Sequence, residues 1–95
     1  MRINVEFLGF PIVSAVVKEK RVDLDVPGNT PKDVMDQLIR IYGRKLKEAF
    51  YDEGGKLDPM IQIALNGKTL IPADQHLTPL SEGDTLTFML LLPGG

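Results

Sequence analysis

The sequence predicts an α+β domain, a mixed sheet of about five strands with one main helix packed on one face and a short second helix. Three observations predict it. Apolar and polar residues alternate at period two near the start, a capped run at helical spacing occupies the middle, and a tight-turn dipeptide precedes a strongly apolar closing stretch.

Ile3, Val5 and Phe7 alternate with Arg2, Asn4 and Glu6, the pattern of a half-buried strand. The alternation returns at Val22, Leu24 and Val26 against Arg21, Asp23 and Asp25, a second strand ended by Pro27 and Gly28. Residues 9–20 between them form a long apolar connection with room for a turn of helix folded onto the core. In "NTPKD", Thr30 is suited to accept from a first-turn amide, Pro31 fits the first helical position, and Asp33 stands three residues after the cap. Val34, Met35, Leu38, Ile39, Ile41 and Tyr42 follow at helical spacing, and Gly43 offers a C-terminal cap. A short helix carries Leu46 and Phe50 before "DEGG" turns the chain.

Strands at residues 60–65 and 69–71 flank Asn66 and Gly67, a dipeptide favoured in tight hairpins because both positions tolerate positive φ. A polar turn at 81–84 leads into a last strand at 85–92. Its apolar character predicts a central position under the helix, with the first strand beside it. A hairpin, a crossing helix and strands that return beside the first make up the β-grasp arrangement.

With 95 residues, this is one small domain with a single core and no room for a deep multi-domain cleft. Hydrophobic residues at 43% and charged residues at 25% are ordinary for a folded globular chain. A net charge of -2 lacks the basic footprint of nucleic-acid binding, and "RKLK" reads as a solvated helix face. Without cysteine there is no disulfide framework, thiol nucleophile or thiolate metal site, and a cytoplasmic home is expected. Residues 7–17 loosely resemble a signal peptide. Glu6 at the edge, Pro11 inside and the missing small-residue cleavage site argue against one, and the run is too short to span a bilayer.

His76 in "ADQH" reads as a surface loop residue rather than a general base, and the carboxylates at Asp23, Asp25, Asp52 and Glu53 lack catalytic or metal-ligand spacing. "PGNTPKD" is a helix cap without the Lys-Ser/Thr end of a phosphate loop. Met35, Met60 and Met89 read either as core filler or as an adaptable binding stripe. No permanently bound cofactor and no metal site is expected.

"LNG" at 65–67, "TPLSEGD" at 78–84 and the terminal Gly94 and Gly95, set on this strand order, resemble the ubiquitin-like sulfur carriers. That family includes the small subunit of molybdopterin synthase, the thiamine sulfur carrier and the archaeal small modifier proteins, and the resemblance covers essentially the whole chain. It implies one domain at 1–92 and a functional tail at 93–95. It also implies that the Gly95 carboxylate is adenylated with ATP by a partner resembling ubiquitin-activating enzymes, then converted to a thiocarboxylate that donates sulfur to a second enzyme, such as a molybdopterin synthase large subunit. The chain would be a protein co-substrate rather than an enzyme, monomeric when free, with no nucleic-acid or membrane partner.

The chemistry of the tail agrees with that implication. A free carboxylate is ionised and unreactive at neutral pH, and nothing else in the chain would activate it. Two glycines suit a narrow tunnel, and Pro93 stiffens the exit before them. Some residues depart from the pattern: "LLLPGG" has one proline where molybdopterin synthase small subunits usually have two, and "FPIVSAVV" replaces their arginine-containing stretch. Thiamine carriers lack the second helical region supplied by "RKLKEAF", so the molybdopterin branch is the nearer match.

Alternation along the last strand sends Leu86, Phe88, Leu90 and Leu92 to the core and Thr85, Thr87, Met89 and Leu91 to the opposite face. Met89, Leu91, Pro93 and Gly94 are therefore candidate partner-binding residues, unless residues 9–17 cover Met89 and Leu91. Two rival functions stay open: a protein modifier that forms isopeptide bonds through the same tail, and a β-grasp binding module with an incidental Gly-Gly end.

Overall fold

A computed structural model describes residues 1–72, 75 and 77–90. The elements run β1 (Arg2–Leu8), α1 (Pro11–Val17), β2 (Arg21–Asp25), α2 (Pro31–Tyr42), α3 (Arg44–Phe50), β3 (Ile61–Leu65), β4 (Thr69–Ile71) and β5 (Thr85–Leu90). The sheet order is β2-β1-β5-β3-β4, with β1 and β5 parallel and the other pairs antiparallel. This is the β-grasp expected from the sequence, with the last strand at its centre.

One face of the sheet is buried. Ile3, Val5 and Phe7 of β1, Leu24 of β2, Ile61 and Ile63 of β3, and Leu86 and Phe88 of β5 share a core with Val34, Met35 and Leu38 of α2 and Leu46 and Phe50 of α3. Phe88 stacks on Phe7 and tilts against Phe50, with centroids 6.0 and 5.5 Å apart, so the aromatic centre ties the two parallel strands to α3. Met35 is core filler, whereas Met60 and Met89 are half-buried.

The capping box forms as its spacing predicts. The Asp33 amide donates to Thr30 Oγ1 at 3.2 Å, and Asp33 Oδ2 accepts from the Thr30 amide at 3.2 Å and the Thr30 hydroxyl at 2.8 Å. Asn29 adds a third donor at 3.1 Å. Hydrogen bonding to Thr30 holds the Asp33 carboxyl below its ordinary value. A Cβ on Gly28 would run into this same carboxylate, so any side chain there has to displace Asp33 from the cap.

Two expectations need correction. The connection at 9–20 holds a seven-residue helix, α1, started by Pro11 and stopped by Lys18 at φ 65, so the described residues contain three α-helices. Ile41, placed by spacing on the buried side of α2, is 53% exposed, while Ile39 and Tyr42 on either side of it pack against the core. β5 is described as far as Leu90. Residues 91 and 92 of the expected strand lie outside the described residues.

Candidate functional site

The candidate site is the C-terminal end of β5 as described, at Met89 and Leu90. Of the candidate residues, Met89 is described, and Leu91, Pro93, Gly94 and Gly95 lie outside the described residues, as does His76. The geometry of the site is therefore that of the exit.

Met89 stands between Leu8 of the parallel strand β1 and Gln62 of the antiparallel strand β3, one register step before the end of the ladder. All three belong to the sheet face opposite the helices, because their neighbours Phe7, Phe88, Ile61 and Ile63 are buried on the other face. Polar alternation breaks at the same height in both parallel strands. β1 presents Arg2, Asn4 and Glu6 and then Leu8, 46% exposed; β5 presents Thr85 and Thr87 and then Met89. The register sets Leu8 and Met89 side by side as an apolar pair next to the exit.

One step back from the exit the row is polar. Thr87, buried at 5% exposure, donates its hydroxyl to Glu6 Oε1 at 3.1 Å, and Arg21 Nε meets Glu6 Oε2 at 2.7 Å. This chain across β2, β1 and β5 fixes the three strands in register. Thr87 lies on the face opposite the helices, as the alternation places it, and is buried there.

Residues 9–17 do not cover the Leu8 and Met89 face. Phe10, Val13 and Val17 turn α1 toward the helix layer, where Phe10 meets Phe50 edge-on at 6.0 Å. What the sequence reading missed is this pairing of Leu8 with Met89. Its signal was the break in the β1 alternation at Leu8.

The start of β5 is held as firmly as its centre. Asn66 occupies the hairpin turn at φ 53, beside Gly67 at φ 68. Its side-chain amide donates to Asp84 Oδ1 at 3.1 Å, and its oxygen accepts from the Thr85 amide at 2.8 Å. Asp84 Oδ2 accepts from Ser81 N at 2.8 Å, and Gly83, at φ 84, donates to Arg2 O at 2.8 Å. "LNG" and "SEGD" therefore act together as a clasp that sets the register of β5 against β3 and β1.

Elsewhere, an open groove of about 660 Å³ between α2 and α3 is lined by Lys32, Asp36, Arg44, Glu48 and Tyr51. Within it Lys32 meets Asp36 at 2.7 Å, and that hydrogen bond raises the lysine pKa, Arg44 Nε stands 3.9 Å from Glu48, and burial pushes the Tyr51 phenol up. Among the described residues, no group of His, Cys, Asp or Glu could hold a metal ion, and no helix is long and apolar enough to cross a membrane.

No protein-family model matches the chain, and no curated relative matches it. Solved structures do. SAMP1 of Haloferax volcanii is 22% identical with a TM-score of 0.78, covering 100% of both chains. A chain of the BexX/CysO complex of Amycolatopsis orientalis is 20% identical with a TM-score of 0.73, covering 98% of this chain and 99% of that one. A chain of the complex of subunits 1 and 2 of the molybdopterin-converting factor of Helicobacter pylori is 29% identical with a TM-score of 0.57, again over 100% of both. The chain has the β-grasp fold of these small proteins, and its likeness to them extends over essentially its whole length.

Proposed function

We propose that the chain is a sulfur carrier whose working group is the terminal carboxylate of Gly95. The observation that carries this reading is the placement of β5. The central strand is clasped at its start by Asn66 and Asp84 and is paired with β1 from Thr85 to Met89 and with β3 from Leu86 to Leu90. Such a strand is a rigid base for a short reactive tail. The domain then comprises residues 1–92 and the tail 93–95, working in the cytoplasm as a free monomer between encounters.

The chemistry divides between the chain and its partners. On an adenylating enzyme, a Gly95 carboxylate oxygen attacks the α-phosphorus of ATP and pyrophosphate leaves. The terminal sulfur of a persulfide attacks the acyl carbon and AMP leaves. A thiol reductant then cleaves the sulfur–sulfur bond of the acyl disulfide, is itself oxidised to a disulfide, and leaves the thiocarboxylate. The chain holds no cofactor of its own and contributes reach and shape. Gly94 and Gly95 admit close approach of backbone to phosphate, Pro93 limits the sweep of the tail, and Leu8, Met89 and Leu91 meet the enzyme surface.

The likeness to a chain from the molybdopterin-converting factor complex favours a molybdopterin- or tungsten-type cofactor pathway as the destination of the sulfur. The likeness to small archaeal modifier protein 1 favours a second reading, in which the activated tail is transferred to lysines of other proteins. Exchange of labelled pyrophosphate into ATP tests the first step. Exchange by the adenylating enzyme must require this chain and must vanish when Gly95 is deleted. Exchange that persists with the deleted chain contradicts the proposal.

A further inference from the structure

The tail exit has a second apolar border. A helix that is apolar on all sides is ordinarily buried, and α1, "PIVSAVV", carries no charge at all. Only one side of it is covered. Phe10, Val13 and Val17 enter the core, while Pro11, Ala15 and the one polar residue, Ser14, are exposed, Ile12 is 57% exposed and Val16 is half-buried. The turn into α1 touches the exit directly: a Cβ on Gly9 would lie 4.0 Å from the Leu90 carbonyl oxygen. Leu90, the last described residue of β5, thus follows the Leu8 and Met89 pair on the sheet and has the Gly9 turn into α1 near its carbonyl.

Covalent geometry makes this position consequential. Residues 91–95 reach at most about 18 Å from Leu90 even when fully extended. An enzyme acting on Gly95 from inside its own active site has little depth to spare, so its surface must come down onto the borders of the exit. The α1 border also suits the adenylation step. Residues 7–17 carry no charge, so this side of the exit brings no carboxylate toward the polyphosphate of ATP when Gly95 is presented to it. The stretch is flanked by Glu6, which is paired with Arg21 and Thr87 on the sheet face, and by Lys18, which stops α1, followed by Glu19 and Lys20.

We propose that the exposed side of α1, Pro11, Ile12, Ala15 and Val16, is a docking surface for the adenylating enzyme, whose matching surface is apolar with an acidic rim facing Lys18 and Lys20. The inference rests on the carrier reading and adds to it a recognition element that is separate from the tail. Because α1 touches the enzyme and not the reacting atoms, it contributes equally to the ground state and the transition state.

The test is the kinetics of adenylation with ATP, labelled pyrophosphate and the adenylating enzyme of the source organism, comparing wild type, Ile12→Asp, Ile12→Leu and Leu70→Asp. Leu70 is as exposed as Ile12, at 57%, but lies on edge strand β4, two strands away from β5. Ile12→Asp should raise the KM for this chain at least about tenfold with kcat at saturation within about twofold, the signature of lost uniform binding. Ile12→Leu should restore the wild-type KM, and Leu70→Asp should stay within about twofold of it. An unchanged KM in Ile12→Asp overturns the inference while leaving the carrier reading intact. The same holds if adenylation is normal and only sulfur donation fails. A wild-type chain that is not adenylated at all overturns both. With KM unchanged, loss of a wild-type dimer in Ile12→Asp would assign the face to a second copy, and loss of co-sedimentation with phosphatidylglycerol vesicles would assign it to a membrane; either result overturns the inference.

Discussion

The side chain of Asn66 donates to Asp84 Oδ1 at 3.1 Å across 18 residues of sequence, joining the β3–β4 turn to the turn that launches β5. Asn66 also accepts from Thr85 N, so one turn residue orders both the hairpin and the first rung of the central strand. Asn66→Gly keeps a residue that accepts the φ of 53 and removes only the side-chain bonds. Urea unfolding should show a loss of about 1 kcal/mol, and the Asp84→Ala, Asn66→Gly double mutant should lose less than the sum of the two singles. Full additivity would mean that the clasp is incidental.

The Leu8 and Met89 pair gives a prediction that separates docking from folding. Leu8→Asp and Met89→Asp place charge on the face opposite the helices and should leave the midpoint of thermal unfolding nearly unchanged while weakening the complex with the adenylating enzyme by at least about tenfold. Phe88→Asp, with a fully buried side chain between Phe7 and Phe50, should prevent folding, because it strands an unpaired charge in the core. Phe88 is a sharper control than Leu90, which is half-buried at the end of the ladder. Circular dichroism and a titration of the complex decide it. Met89→Asp unfolding as Phe88→Asp does would remove the case for a docking face.

Much of this was legible because local pattern and global fold agree. The alternation at Ile3, Val5 and Phe7 could satisfy only a half-buried strand, and Thr30, Pro31 and Asp33 could hardly open anything but a helix. The helix α1 was less legible, since a short apolar run has no polar stripe to fix its period. The side-by-side placement of Leu8 and Met89 was hidden for another reason. It depends on parallel pairing between the first and last strands, and register between such distant segments is set by tertiary packing. The clasp was half legible: the turn chemistry of Asn66 and Gly67 is local, but its bond to Asp84 is not.

The cap of α2 predicts a pH dependence. The Asp33 carboxyl is held below its ordinary value of 3.8 by the Thr30 hydroxyl and the amides of Asn29 and Thr30. Its contribution is complete above the value in the unfolded chain and is lost as the pH falls through the lower folded value. Stability measured from pH 7 downward should therefore begin to lose this contribution below about pH 4. Thr30→Ala should cost about 1 kcal/mol at pH 7 and flatten that decline. An equally steep decline in Thr30→Ala would show that other carboxylates set the acid limb.

Gly28→Ala tests the same cap from the other side. The added methyl would collide with the Asp33 carboxylate and displace it from Thr30, so the loss should exceed that of an ordinary glycine-to-alanine change and approach that of Thr30→Ala. Combined with Thr30→Ala it should cost little more, because both remove one interaction. Thermal unfolding of the three variants measures this, and additive losses would place the effect of Gly28 elsewhere.

The account turns on Gly95, and intact-mass spectrometry tests it most directly. The full chain is incubated with the adenylating enzyme, ATP, a persulfide sulfur source and a thiol reductant. The predicted result is a mass increase equal to one sulfur minus one oxygen, located on the peptide that ends at Gly95, and absent from a Gly95-deleted chain whose thermal midpoint is unchanged. An unchanged mass with an enzyme shown to adenylate the chain would contradict the sulfur-carrier reading.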